Sequence, residues 1–170
     1  MIRFSTGLKV AAVAAALLLA AGCASKKTEV ASGPPGPSTS GPSSTIIPGS
    51  AEDFRVNVGD TVHFDFDKYD ILDSDKGTLQ RQATWLAKYP SVRVTIEGHC
   101  DERGTREYNL ALGARRANAV KEYLVSVGVS SARVDTISYG KEHPICTESS
   151  EDCWAQNRRG VTTITAGASS

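Results

Sequence analysis

Two ionised side chains of opposite sign, Asp101 and Arg116, are the residues here whose types and spacing could hold a small charged molecule. Asp101 stands in a short polar loop, Gly98-His99-Cys100-Asp101-Glu102-Arg103-Gly104, and Arg116 in the helical stretch that follows it. Asn109, Leu112 and Arg116 fall at i, i+3 and i+7, so a helix would present them on one face. If the turn brings Asp101 to that face, a carboxylate and a guanidinium flank one cleft. Such a cleft suits a zwitterion, with Asp101 taking the ammonium and Arg116 the carboxylate through two parallel N–H donors that a lysine cannot offer. The same spacing also allows Asp101 and Arg116 to pair with each other, or both to face solvent.

Catalysis and metal binding fit the pattern poorly. Asp101 and Glu102 are adjacent and do not normally converge on one bond. A Cys100–His99 nucleophile would need its base from elsewhere in the fold. His63, His99, Cys100 and His143 lack the paired short spacing of zinc ligands, so neither metal nor cofactor is expected.

The elements that must position the loop are well marked. Thr105 can cap the following helix, Glu107 suits the positive end of its dipole, and Gly128 ends it. Leu112, Val120, Tyr123 and Leu124 give the helix a core-facing stripe. Before it, Val62-His63-Phe64-Asp65-Phe66-Asp67 alternates like a half-buried strand. A helix capped by Ser74, with Leu79, Ala83 and Leu86 on one face, closes at Pro90. Val92, Val94 and Ile96 form a second strand that leads into the loop. Further strands are expected at Val134–Tyr139 and Gly160–Thr165, the latter after the polar run Gln156-Asn157-Arg158-Arg159. Alternating strands and helices predict an α/β sandwich with right-handed crossovers, the sheet on one side and helices on the other.

Outside this domain, which spans residues 53–168, lie two appendages. Residues 1–22 read as a signal peptide: Arg3 and Lys9 precede an apolar run, Val10–Ala21, too short to span a bilayer. The run ends in Leu19-Ala20-Ala21-Gly22-Cys23, similar to a bacterial lipobox although Ala20 stands where Leu is usual, and Cys23 is expected to be acylated. Two or more acyl chains give stable anchoring in a lipid bilayer. Residues 23–52 form a tether, rich in Gly, Pro, Ser and Thr from Ala31 to Ser50, with an expected flexible reach of roughly 30 Å.

Hydrophobic residues make up 40% and charged residues 22% of the 170, ordinary values for a globular chain. Without the first 22 residues, 17 basic residues face 19 acidic ones. That balance gives no electrostatic footprint for nucleic acid. In the oxidising compartment that a signal peptide implies, Cys146 and Cys153 are close enough in sequence to bridge across a polar loop, adding about 2–3 kcal/mol in the chain-entropy account. Cys100 is then an odd thiol.

The run Asn109-x-x-Leu112-Gly113-x-x-Arg116-Ala117-x-x-Val120-x-x-x-Leu124 resembles the OmpA-like peptidoglycan-binding domain family. Gly98-His99, Asp101-Glu102-Arg103-Gly104-Thr105 and Tyr108-Asn109 narrow the resemblance to its lipoprotein branch. The resemblance covers roughly Asp53–Thr165. It departs at Cys100, where a small residue is usual, and at Gly113, where the wider family often has Ser. It implies a βαβαβ domain with a mixed sheet, helices on one face and no enzymatic activity. It further implies that Asp101 and Arg116 hold the diaminopimelate residue of a peptidoglycan stem peptide. Phe64, Asp65 and Asp67 from the first strand, with Thr105 and Tyr108, are expected to line the same cleft. Asn157, Arg158 and Arg159 are expected either to brace the cleft or to touch ligand. Ala24 after the lipidated Cys implies the outer membrane, with the domain in the periplasm. TolB and the Tol envelope complex follow as implied partners, with roles in envelope integrity and in outer-membrane constriction at division.

Overall fold

The computed structural model describes residues 46–170, so the signal peptide, Cys23 and most of the tether lie outside the described residues. A short helical segment comes first, α1 (Ala51–Asp53), continued as a π-helical turn over Phe54–Val58. The Asp53 carboxylate ties this segment down, accepting from the Gly49 N–H at 2.8 Å and the Trp85 indole at 2.9 Å. Residues assigned from sequence to the end of the tether thus sit in the folded body.

Four strands follow: β1 (Thr61–His63), β2 (Arg93–His99), β3 (Val134–Gly140) and β4 (Arg159–Ala166). They form one mixed sheet in the order β1-β4-β2-β3. β4 runs antiparallel to both β1 and β2, and β2 runs parallel to β3. The three helices after α1 are α2 (Asp73–Lys88), α3 (Arg106–Ser126) and α4 (Glu151–Asn157). The core lies between the sheet and α2 and α3. Val62, Val94, Ile96 and Val134 meet Leu79, Leu86, Val120 and Leu124 there, all buried. Gln82 is buried as well and is satisfied by Gly59 O and the Thr162 hydroxyl.

Local chemistry explains most boundaries. Thr105 caps α3 by accepting from Tyr108 N–H, and Gly128, at φ +105°, provides the left-handed turn that ends it. Three elements differ from the sequence reading. β1 stops at His63 instead of running through Phe64–Asp67, because Asp65 and Lys68 close a turn and Asp67 enters the left-handed region at φ 59°. α2 starts at Asp73 with no side-chain cap; Ser74 lies inside it, and acidic Asp73 and Asp75 favour the first turn. α4, capped by Ser150 and ending within the polar run at Asn157, is an element that the sequence reading did not mark.

α3 lies unusually close to β2. A Cβ on Gly98 would fall 1.8 Å from Gly113 O, and one on Gly113 would fall 2.3 Å from the Ser138 hydroxyl. Gly113 thereby has a packing reason, and the contact fixes how α3 stands over the loop that begins at Gly98. Gly98→Ala should cost at least about 3 kcal/mol and lower the melting temperature by about 10 °C or more, read by circular dichroism. A melt within two or three degrees of the parent would contradict this packing.

His99 closes β2 with a buried ring, and neither ring nitrogen has a hydrogen-bond partner. Burial, with the Arg159 charge nearby, lowers its pKa to about 4. The Glu97 carboxylate, 3.5 Å from Nε2, would favour the charged ring, but it makes no hydrogen bond to that ring and burial outweighs it. The folded state therefore holds a neutral His99, whereas the unfolded chain takes up a proton near pH 6.5. Stability is complete above pH 6.5 and falls by up to about 3 kcal/mol as pH drops towards 4. In urea titrations at stepped pH, His99→Phe should flatten this decline between pH 6.5 and 5.

Candidate functional site

The loop between β2 and α3 is fixed from every side. Cys100 N–H donates to Gly140 O at 2.7 Å, and Lys141 Nζ donates to the carbonyls of Glu102 and Gly104 at 3.0 and 2.6 Å. Asn109, buried on α3, reaches back to the carbonyls of Arg103 and Thr105 at 2.8 and 3.1 Å. Gly104 takes φ +90°, which lets the chain turn into the Thr105 cap.

Beside this loop is a cavity of about 170 Å³ lined by Asp67, Asp101, Arg103, Tyr108, Leu112 and Arg116 among others. Asp101 and Arg116 therefore share one hollow. They are not each other's hydrogen-bond partners. Asp101 accepts from Arg103 N–H and Nε, both at 3.1 Å, from Arg103 Nη2 at 2.6 Å and from Arg158 Nη1 at 3.5 Å. Arg116 is fully buried and donates to three carbonyls, Lys68 O at 2.8 Å, His99 O at 2.8 Å and Asp65 O at 3.1 Å. Its guanidinium also lies 5.1 Å from the centre of the Phe64 ring.

The remaining sequence candidates divide into two groups. Asp67, Tyr108, Asn109 and Leu112 line the cavity, with Leu112 buried and the Tyr108 hydroxyl donating to Asp67. Phe64, Asp65 and Thr105 do not line it. Phe64 is core packing beneath Arg116, Asp65 contributes its backbone carbonyl to Arg116, and the Thr105 hydroxyl is engaged as the helix cap.

Arg103 is the residue that sequence reasoning passed over. Its guanidinium is sandwiched between the Phe66 ring at 4.0 Å and the Trp154 ring at 4.1 Å, while its fork grips Asp101. Only the crowding of acid and base in the loop hinted at it, since Phe66 and Trp154 are distant in sequence. Arg158 proves a brace: Nε donates to Phe64 O at 2.9 Å, and Nη2 donates to Glu151 at 2.7 Å. Asn157 holds Ile145 and Cys146, and Arg159 donates to His143 O at 3.2 Å. Cys146 and Cys153 are bridged, their Cα atoms 5.3 Å apart, which fixes α4 and with it Glu151 and Trp154.

The OmpA family model matches residues 63–158. A peptidoglycan-associated lipoprotein of Mesorhizobium japonicum is 52% identical over 91% of this chain and 90% of its own length. One of Rhizobium meliloti is 55% identical over 86% of this chain and 82% of its own. The chain belongs to the OmpA family, among the peptidoglycan-associated lipoproteins. The crystal structure of the Burkholderia pseudomallei lipoprotein matches it at 43% identity and TM-score 0.61, covering 62% of this chain and 90% of that one. The periplasmic domain of Helicobacter pylori MotB, at 21% identity and TM-score 0.56, covers 63% of this chain and 71% of that one and shares the fold.

Electrostatics sharpen the picture of this OmpA-family cavity. Burial pushes the Asp101 carboxyl up, but hydrogen bonds from the Arg103 side chain and backbone outweigh it and hold the group below the usual carboxylate range. Burial pushes the Cys100 thiol up to about 11, so at neutral pH it is a neutral wall of the cavity. A depressed carboxyl stabilises the fold above its unfolded value, near 3.9, and that contribution is lost only as pH falls through the lower folded value. An NMR titration should place Asp101 below 3.9, and Arg103→Ala should raise it. An Asp101 value insensitive to Arg103 would show that the pair does not hold the carboxylate.

Proposed function

We propose that the cavity binds the diaminopimelate residue of a peptidoglycan stem peptide, without catalysis. The observation that carries this reading is the placing of Asp101 and Arg116 on one small hollow. A guanidinium has five N–H bonds. Three of those on Arg116 serve carbonyls of the fold, leaving two for a ligand carboxylate. Asp101, with Asp67 also on the cavity wall, offers negative charge for the ligand ammonium. Leu112 supplies an apolar surface for the aliphatic chain between the two poles.

Charge-assisted hydrogen bonds contribute about 1.5–3 kcal/mol each, so two of them with a few neutral contacts give roughly micromolar affinity for one peptide. Many copies anchored in one membrane and facing one polymer would hold far more firmly through avidity. Acylated Cys23 would provide the anchor, placing this domain in the periplasm and joining the outer membrane to the wall. Work alongside TolB and the Tol complex, in envelope integrity and constriction at division, belongs to the same proposal. Its support is the set of relatives named as peptidoglycan-associated lipoproteins.

A buried arginine that organises three carbonyls cannot be deleted cleanly, so the decisive comparison varies the ligand. Stem peptides with diaminopimelate should bind the purified protein at least about tenfold more tightly than those with lysine, which lacks the second carboxylate. Asp101→Asn and Arg116→Lys should each weaken pull-down with isolated peptidoglycan, with near-UV circular dichroism reporting that the fold persists. Equal affinity for the two peptides would remove Arg116 from ligand recognition.

A further inference from the structure

Arg115 stands apart from every other arginine of the described residues. Arg55, Arg93, Arg103, Arg106 and Arg158 meet carboxylates. Arg81, Arg116, Arg133 and Arg159 donate to carbonyls. Arg115 is exposed, and its guanidinium lies over the face of Tyr69, 5.5 Å from the ring centre, with no hydrogen bond or ion pair among the described residues. The helix itself denies it a partner. A carboxylate three or four residues away would pair with it, but those positions are Ala111, Leu112, Asn118 and Ala119.

Arg115 also stands next to Arg116, which lines the cavity. A shallow groove lined by Tyr69, Asp70, Arg115, Asn118, Glu122 and Tyr123 runs between α3 and the loop after β1. The groove draws on the same two segments as the cavity, with Tyr69 and Arg115 in the groove and Asp67 and Arg116 in the cavity. The Arg115 charge acts on Tyr108 and Cys100, two cavity residues.

We infer that Arg115 binds the free α-carboxylate of the acidic residue that precedes the captured amino acid in the stem peptide. This inference rests on the function proposed above. In a stem peptide the D-glutamate is joined to the next residue through its side-chain carboxyl, which leaves its α-carboxyl either free or amidated. An unpaired guanidinium in the groove discriminates between those forms, because an amide brings no charge. Tyr69 beneath it gives an amphipathic wall, and Asp70 and Glu122 offer acceptors for peptide N–H groups. The site thereby reads two residues of the ligand, one inside the cavity and one in the groove.

The test is isothermal titration of the purified protein with two diaminopimelate stem peptides, one bearing D-glutamate and the other its α-amide. The parent protein should prefer the free acid by about threefold to tenfold, as suits a partly exposed charged hydrogen bond. The preference should shrink with added salt, and Arg115→Gln should bring the two affinities together. Equal affinities in the parent, or a preference that survives in Arg115→Gln, would overturn the role of Arg115 while leaving the cavity assignment standing. Failure of both peptides to bind the parent would overturn the cavity assignment and this inference with it.

Discussion

One buried cation holds the site together. Arg116 lies at the centre of the domain with no exposed surface, and its guanidinium joins the turn after β1, through Asp65 and Lys68, to the end of β2, through His99. Burial works against its charge, and the nearby Asp101 carboxylate counters part of that penalty. An ion so deeply placed is tolerated only when its donors are satisfied. The three carbonyls give each of its three nitrogens a partner. The constraint that makes α3 carry an arginine into the core is thus the same one that folds the cavity walls around it.

The acidic side of the cavity rests on a different device. Asp101 is held by Arg103, Arg103 is held flat between Phe66 and Trp154, and Arg158 links Asp101 to Glu151. Trp154 and Glu151 belong to α4, a helix of 7 residues that could not persist alone and that the Cys146–Cys153 bridge secures. A loop with little core of its own therefore acquires the rigidity to hold an aromatic face against a cation. Preorganisation of this kind lowers the ordering cost of binding.

Membership of the OmpA family accounts for the sheet and for the αβ crossover that delivers the loop. The family fold alone does not explain the chemistry of the cavity, since one architecture can host many different sites. The specific content lies in the few side chains around one hollow and in the unpaired Arg115 of the second groove along α3.

Much of this was legible in the sequence because it depends on near neighbours. The period of Leu112, Val120 and Leu124, the Thr105 cap, the Gly128 stop and the alternation of Val94 and Ile96 each reflect interactions within a few residues, and the structure keeps them all. The i, i+3, i+7 spacing likewise placed Asn109, Leu112 and Arg116 on one face of α3. What sequence could not decide was partner choice across long separations. Whether Asp101 also meets Arg158, whether Phe64 lines the cavity or packs beneath Arg116, and where β4 enters the sheet all depend on segments 50 or more residues apart. Their apposition is set by packing of the whole core, and a buried polar group takes whichever partner that packing brings within reach.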